Sequence, residues 1–244
     1  MKRMLSFANR TMKEILRDPL TMGFGLGFPV ILLLLLSLIQ ANIPVDMFEL
    51  THLTPGITVF GLSFMTLFSA QLISKDRGSS LLTRLYTTPL KATDFILGYF
   101  LPVLPLCLAQ SLICYIVALI LGMQFSVNII WAILMLLVPS FFYVALGLLC
   151  GSALTEKQVG GICGALLTNF SAWLSGIWFD IDMLGKGIKT FANALPFIHA
   201  VELERAVVKG DFSAIFPHFW WVLGYGVVLM IIAIAIFLRQ MRRQ

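Results

Sequence analysis

The most informative stretch of this chain is KDRGSSLLTRLYTTPLK, residues 75–91. It is short, polar and basic, and it lies between two long apolar runs. After Gly78, the hydroxyl groups of Ser79 and Ser80 are suited to capping a new helix. Apolar residues then recur at helical spacing: Leu81, Leu82, Leu85 and Tyr86. Pro89 ends this helix, because the residue before a proline is pushed out of helical geometry.

The stretch therefore predicts a two-turn amphipathic helix at a membrane surface, with Thr83 and Arg84 on its polar side. Two interpretations remain open at this point. One is an ordinary solvated loop, and the other is a docking site for a soluble partner.

The composition indicates an integral membrane protein. Hydrophobic residues make up 59% of the 244 residues and charged residues 12%, whereas soluble domains are nearer half apolar and a quarter charged. We expect one polytopic domain over residues 1–244, with no length left for a soluble catalytic domain. The net charge of +5 is spread over several segments rather than gathered in an aromatic-rich groove, so no nucleic-acid partner is expected.

Residues 1–18 predict an amphipathic helix in the plane of the membrane interface. Its apolar face carries Met4, Leu5, Ala8, Met12, Ile15 and Leu16, and its basic face carries Lys2, Arg3, Arg10, Lys13 and Arg17. A signal peptide is the alternative interpretation. The apolar run 21–39 is long for a signal sequence and no A-x-A site follows it, so we expect this helix to be retained.

Six apolar runs follow, each near the roughly 20 residues that cross a ~30 Å hydrocarbon core. They are Leu20–Ile39, Pro55–Ser74, Phe95–Leu121, Ile129–Leu154, Val159–Phe179 and Pro217–Leu238. All lysine, arginine, aspartate and glutamate residues fall outside these runs, as expected if a charge at a helix centre costs about 2.5–3.5 kcal/mol. The predicted fold is therefore all-α, with six transmembrane helices.

The basic residues also predict the orientation. With the N-terminus inside, the inner segments 1–19, 75–94, 155–158 and 239–244 hold 13 of the 17 lysine and arginine residues. This bias predicts that both termini and the 75–94 loop are cytoplasmic. The outer segment 180–216 contains apolar pieces too short to cross, which predicts a re-entrant or interfacial hairpin before the last span.

No catalytic motif is complete in this sequence. A nucleotide-binding glycine-rich loop is absent, because Asp180 stands where the first glycine before Lys186 is needed. The fragment Trp173-Leu174-Ser175-Gly176 is close to the G-x-S-G of intramembrane serine proteases, but such a serine needs a base at membrane depth. The histidines all lie in or beside outer connections: His52, His199 and His218.

Metal and disulfide chemistry are also poorly supported. The cysteines lie inside apolar runs, form no CxxC pair and have no histidine near them in the sequence: Cys107, Cys114, Cys150 and Cys163. We therefore predict no metal site, and we expect these side chains to be small buried hydrophobes.

The fifth apolar run carries a packing motif. Small residues recur every four positions along it: Gly160, Gly164, Thr168, Ala172 and Gly176. Such a stripe allows helix backbones to approach closely in lipid, either within one protomer or across a dimer seam. Asn169 and Ser171 lie near the middle of the run, and we expect the Asn169 amide to face protein or a wet cavity.

Together these features resemble the membrane subunit of a bacterial ABC exporter of the second type, the ABC type-2 permease family. The 75–90 stretch is similar to the family pattern of a charged pair, a glycine, a leucine-arginine helix and a closing TPL, although the family more often has a glutamate where Lys75 or Asp76 stands. The matching residues are Asp76, Arg77, Gly78, Leu82, Arg84, Leu85, Thr88, Pro89 and Leu90. Two further similar stretches are residues 53–57 and 195–210.

The resemblance implies a homodimer bound to two copies of a separate ABC ATPase, which binds ATP and Mg, with no cofactor in this chain. It implies that residues 80–87 form the coupling helix that contacts this ATPase. The implied coupling residues are Asp76, Arg77, Leu81, Leu82, Arg84, Leu85, Tyr86 and Pro89. The second and fifth spans are implied to line the pathway, near Gln71, Asn169 and Ser171.

The implied function is export of an amphiphilic cargo across a bacterial cytoplasmic membrane, without enzymatic activity in this chain. The cargo classes are a drug, an antibiotic, a peptide or a lipid-linked glycan. Two alternatives stay open: a membrane scaffold or sensor bound to an ATPase, and the intramembrane protease.

Overall fold

The helices follow the apolar runs of the sequence in order. The computed structural model describes residues 2–42, 48–79 and 92–241, and no strand is present within these ranges. The helices are α1 (Lys2–Arg17), α2 (Pro19–Asn42), α3 (Leu50–Gly78), α4 (Ala92–Phe100), α5 (Val103–Ile120), α6 (Val127–Met135), α7 (Leu137–Ala153), α8 (residues 156–174), α9 (Lys186–Ala194), α10 (Pro196–Lys209) and α11 (Phe212–Met241). The all-α prediction is confirmed for the described part of the chain.

Five stretches are long and apolar enough to cross a membrane: Pro19–Asn42, Leu50–Gly78, Thr93–Ile120, Val127–Ala153 and Phe212–Arg239. They correspond to five of the six predicted runs. The sixth, residues 159–179, is helical only as far as Leu174, because Gly176 adopts a φ of 70° just beyond. Lys157 and Asn169 dilute the apolar character of α8, which is not among the five.

Proline and glycine interrupt several of these helices. A turn at Leu101 and Pro102 separates α4 from α5, because a proline interrupts the backbone hydrogen bonds of a helix. Glycine-rich π-helical segments occur at Gly23–Gly27 in α2 and at Gly160–Leu167 in α8. A π-helical segment has a different number of residues per turn from an α-helix. A four-residue repeat that runs through Gly160–Leu167 therefore does not stay on one face of α8.

The N-terminal helix forms as predicted, and Ala8 and Ile15 of its apolar face are buried against the protein. Leu5 and Leu16, assigned to its apolar face, are 53% and 54% exposed. The inward side chains include Phe7, whose ring stacks edge-on against Tyr99 with centroids 5.0 Å apart. The apolar periodicity of α1 did not reveal this contact, because the side chain of Phe7 packs against α4, which is distant in the sequence.

Helix α3 is the centre of the bundle. In α3, 83% of the most apolar stretch is buried, against 22% of the corresponding stretch in α2 and in α11. It packs mainly on α7, with further contacts to α5 and α10. We call the end of the bundle at the last turn of α3 the Asp76 end, and the end at its first turn the Arg205 end.

The segment predicted as an outer hairpin, residues 180–216, forms helices at the Arg205 end. Helices α9 and α10 are joined at Leu195, and α10 packs on α3, α6 and α11. Gly210 ends α10 in a left-handed conformation with a φ of 75°, which a glycine adopts without strain. The depth at which this hairpin meets a membrane stays a prediction.

Candidate functional site

The carboxylate of Asp76 joins three helices at the Asp76 end. Arg10 of α1 donates two hydrogen bonds to it, with Nη1–Oδ2 at 2.6 Å and Nη2–Oδ1 at 3.1 Å. The hydroxyl group of Tyr99 in α4 donates a third at 2.8 Å. Asp76 is only 2% exposed, so these bonds replace the water that an ionised carboxylate requires.

A weaker ionic network extends from this pair toward solvent. Arg10 also contacts Glu14 at 2.7 Å, and Glu14 contacts Lys75 at 3.3 Å. The hydrogen bond to Asp76 is the main reason that the pKa of Arg10 is raised, so Arg10 stays a cation at any physiological pH. Helix α1 is therefore attached to the last turn of α3 by charge, while its side chains pack on α4.

Arg77, the next residue, binds the end of another helix. Its Nη1 donates to the carbonyl oxygens of Gly151 at 2.7 Å and Leu154 at 3.2 Å. A cation at a helix C-terminus satisfies carbonyl groups that lack partners within the helix and complements the helix dipole. Arg77 therefore links the last turn of α3 to the last turn of α7.

Two glycines bring α3 and α7 into backbone contact close to the hydrogen bonds of Arg77. A Cβ on Gly147 would lie 2.7 Å from the Thr66 carbonyl oxygen, and one on Gly151 would lie 2.8 Å from that of Ala70. Neither position has room for a larger side chain. The Gly-xxx-Gly spacing of this pair is a helix contact motif in the sequence, and the structure places it against α3.

Two of the predicted coupling residues, Asp76 and Arg77, belong to this junction. The other six predicted coupling residues lie outside the described residues: Leu81, Leu82, Arg84, Leu85, Tyr86 and Pro89. The described part of the chain stops at Ser79, just after α3, and resumes at Ala92. Ala92 is the first residue of α4, the helix that carries Tyr99. Both ends of the 80–91 segment are thus attached to the Asp76 junction, which we define as Arg10, Asp76, Arg77 and Tyr99.

A polar cavity of about 800 Å³ opens beside the junction, between α1 and α3. Its lining includes Lys13, Arg17, Gln71 and Glu156. Lys13 and Arg17 have no acidic partner within the described ranges. The cavity therefore offers two uncommitted cations and an amide to an anionic or hydroxyl-bearing group.

The three predicted pathway residues do not come together. Gln71 lines the cavity, whereas the Ser171 hydroxyl is buried against the Tyr143 hydroxyl of α7, with the two oxygens 2.6 Å apart. Asn169 is exposed on α8, and its amide donates to the Ala165 carbonyl oxygen at 2.7 Å. The amide is thus satisfied by its own helix rather than by a neighbouring element.

The small-residue stripe of the fifth run is divided along its length. Nothing lies within 4 Å of a Cβ built on Gly160, whereas Thr168 and Ala172 are buried within the protomer. Gly164 faces the side chain of Leu67, and Gly176 lies beyond the end of α8. The π-helical segment between Gly160 and Thr168 explains the change of face.

The protease-like fragment does not form a catalytic pair in the described chain. Ser175 is fully buried and donates to the Ala172 carbonyl oxygen at 3.1 Å. His199 and His218 instead contact each other, Nδ1 to Nδ1, at 2.8 Å. No base therefore lies against Ser175 among these residues.

The cysteines behave as predicted in their burial. All four are free thiols; Cys107, Cys114 and Cys163 are buried and Cys150 is partly so. No group of three metal-ligating side chains occurs in the described ranges. Cys150 and Cys163 share a small apolar cluster between α7 and α8, a proximity that their sequence separation did not indicate.

A second polar anchor lies at the Arg205 end. Arg205, only 4% exposed, donates to the Glu202 carboxylate at 2.8 Å, to the Gly176 carbonyl at 3.0 Å and to the His52 carbonyl at 3.3 Å. Burial lowers the pKa of Arg205, with the charge of Glu202 opposing this effect. This one side chain ties α10 to the beginning of α3 and to the turn after α8.

Comparison with known proteins identifies the family to which the chain is similar. A family model described as ABC-2 type transporter matches residues 3–209. The chain is similar to the capsule polysaccharide export inner-membrane protein CtrC of Neisseria meningitidis serogroup A / serotype 4A, with 24% identity over 54% of this chain and 50% of that protein. Its counterpart from serogroup B is 26% identical over 64% of this chain and 60% of that protein. The matched region thus spans between half and three fifths of these relatives.

Proposed function

This chain belongs to the ABC-2 type transporter family, and on that premise we propose that it is the membrane subunit of an ATP-driven exporter. The observation that carries the proposal is the Asp76 junction. The 80–91 segment runs from α3 to α4, and the buried Asp76 carboxylate links these two helices through the Tyr99 hydroxyl group and links α3 to α1 through a bidentate ion pair with Arg10. A force applied to this segment is therefore transmitted to α1, α3, α4 and α7 together.

The Asp76 end is cytoplasmic in this proposal, and the chain crosses the membrane six times. The count of basic residues supports the orientation. The course of α8 supports the sixth crossing, since Glu156 lines the cavity at the Asp76 end and Gly176 binds Arg205 at the other. At about 1.5 Å per residue, a helix over residues 156–174 approaches the thickness of a hydrocarbon core.

A separate ABC ATPase supplies the energy, with ATP and Mg bound in that partner. Two copies of the ATPase act on a homodimer of this chain, and the 80–87 helix docks on the ATPase surface. Closure of the ATPase pair pushes on Leu82 and Arg84 of that helix. The Asp76 junction carries the push into α3, and the cavity between α1 and α3 changes shape. This cycle requires two conformations with different affinity for the cargo.

The cargo in this proposal is a lipid-linked glycan. Both curated relatives are named for capsule polysaccharide export. The cavity also suits an amphiphile, because its uncommitted Lys13 and Arg17 lie on a helix predicted to rest at headgroup level. Gln71, at the same cavity, offers hydrogen bonds to sugar hydroxyl groups.

Flux in proteoliposomes tests the proposal. The chain is reconstituted with the ABC ATPase with which it co-purifies, and movement of a labelled lipid-linked glycan is followed with and without ATP. We expect ATP-dependent flux that Leu82→Pro abolishes while hydrolysis continues, with Thr83→Ala as the matched control. Hydrolysis without any flux would favour a scaffold or sensor, and flux unaffected by both Leu82→Pro and Arg84→Glu would contradict the coupling role.

A further inference from the structure

Glu204 of α10 is buried without a partner. Its side chain has no solvent exposure, and neither carboxyl oxygen accepts or donates a hydrogen bond within residues 2–42, 48–79 and 92–241. Helix α10 packs here on the first half of α3. An acidic side chain in such a position is exceptional, since glutamate is almost never fully buried unless it is paired.

A buried hydroxyl group lies near Glu204. The hydroxyl group of Tyr115 in α5 is close enough for the two side chains to interact electrostatically, and Tyr115 is itself only 1% exposed. The polar neighbour on α5 is thus an uncharged hydroxyl group and not an ionic counterpart.

No described cation compensates a charge on Glu204. The adjacent Arg205 directs its three nitrogens to Glu202 and to two backbone carbonyls. The elements packed on α10 carry these titratable or charged groups at this end: His52 and Glu49 on the α3 side, His218 on α11, Lys186 and Lys189 on α9, Asp180 before α9, and Cys114 beside Tyr115 on α5; α6 carries none. None of them alters the ionisation of Glu204, for which burial is the sole influence.

Burial of an ionised carboxylate without a partner costs far more than burial of the neutral acid. Burial therefore raises the pKa of Glu204 well above its ordinary value and favours the neutral form of the docked side chain.

We propose that Glu204 is a proton-binding site, a neutral carboxylic acid that takes up a proton when α10 docks against α3 and α5 and releases it when α10 is displaced into water. The proposal concerns the docking of α10 and does not depend on the cargo or on the ATPase. It adds the proton as a ligand of this chain at the Arg205 end.

The direction of the pH effect follows from linkage. A solvated glutamate has a pKa of about 4.3, and the docked one has a higher pKa. Docking of α10 is therefore fully favoured when the pH is below the pKa of the solvated glutamate. Above it, each unit of pH lowers the ratio of docked to displaced α10 by up to about tenfold, until the pH passes the raised value.

The protonation state is measured directly by infrared spectroscopy of the full chain in nanodiscs. At pH 7 we expect a carbonyl-stretch band of a protonated carboxyl group, present in the wild-type protein and in Glu202→Gln but lost in Glu204→Gln. Glu202 lies on the same helix and is ionically paired, which makes it the matched control. Absence of the band in the wild type, or its persistence in Glu204→Gln, would overturn the proposal.

Hydrogen exchange provides a test that requires no variant to fold. After correction for the intrinsic pH dependence of exchange, protection of the α10 amides in the wild type should rise by up to about tenfold per unit as the pH falls from 8 toward 5. In Glu204→Gln, which cannot ionise, protection should not vary with pH. Protection of the wild-type α10 that is independent of pH would refute proton-linked docking.

Discussion

Arg77 and Gly151 connect the two most extensively packed helices of this chain at the point where both end. The guanidinium group of Arg77 donates to the Gly151 carbonyl at 2.7 Å. A Cβ atom on the same glycine would collide with the backbone of α3. A polar bond and a steric contact thus act on one residue. Helices α3 and α7 are therefore expected to move as one body at the Asp76 end.

Replacement of Arg77 by lysine should weaken this link without removing the charge. The single Nη1 nitrogen serves both carbonyl groups, and the shorter lysine side chain does not place its ammonium group at the same point, so we expect a loss of about 1 kcal/mol in the free energy of unfolding. More ATP should also be hydrolysed per cargo molecule moved. Lys75→Gln is the control: that side chain is 63% exposed, so its loss should cost less than about 0.5 kcal/mol. Equal effects of the two substitutions would contradict the proposed link.

The ion pair between Arg10 and Asp76 should be measurable by a double-mutant cycle. With Arg10→Met and Asp76→Asn, we expect a coupling energy near the lower end of about 1.5–3 kcal/mol, because Arg10 is 37% exposed. Thermal unfolding in detergent or nanodiscs supplies the free energies. The Glu14–Lys75 pair gives the comparison cycle, with about 0.2–1 kcal/mol expected. An equally strong coupling in the solvent-exposed Glu14–Lys75 pair would contradict the role of Asp76 as the residue that attaches α1 to α3.

Substitution by alanine should change the stability of the protein in opposite directions for the glycines of α7 and for Gly160 of α8. Gly147→Ala and Gly151→Ala force a methyl group against α3, so each should destabilise by about 1–3 kcal/mol. Gly160→Ala meets open space on α8 and should be neutral or stabilising by up to about 1 kcal/mol. Thermal unfolding of the three variants is the measurement, and a destabilised Gly160→Ala would show that a second copy covers that face.

The Tyr143–Ser171 hydrogen bond should stabilise the contact between α7 and α8. With Tyr143→Phe and Ser171→Ala, we expect a coupling energy of about 0.6 kcal/mol, the average for such bonds within membranes. A cycle that gives no coupling would mean that this contact opens in the predominant state of the protein.

Asn169 offers a test of the implied pathway that is separate from stability. Its amide bonds only to its own helix and faces outward, so Asn169→Ala should leave thermal unfolding nearly unchanged. If α8 lines the pathway of the homodimer, flux should fall several-fold all the same. Unchanged flux would remove Asn169 from the pathway.

Local signals in the sequence predicted much of this fold. Apolar runs located the five helices that are long and apolar enough to cross a membrane, because a membrane helix must satisfy its backbone groups internally and expose apolar side chains. The amphipathic repeat predicted α1 at nearly its observed length, although not the inward orientation of Phe7.

The polar contacts were not predictable in the same way, because each depends on two distant segments. Asp76 was selected for its place in a motif, but its partner Arg10 is 66 residues away and lies on a face assigned to lipid headgroups. Glu204 stands in the segment predicted as an outer hairpin, and only the packing of α10 reveals its burial. Single-sequence periodicity carries no information on such pairings.

The two arms of the 80–91 segment differ in stiffness. The outgoing arm is α3, an uninterrupted helix of 29 residues, whereas the returning arm, α4, stops after nine residues at the Leu101–Pro102 turn. If the 80–91 segment is pushed as proposed, α3 would carry the displacement along its axis, while α4 would rotate at the Leu101–Pro102 turn. The second half of that span, α5, would then stay in place.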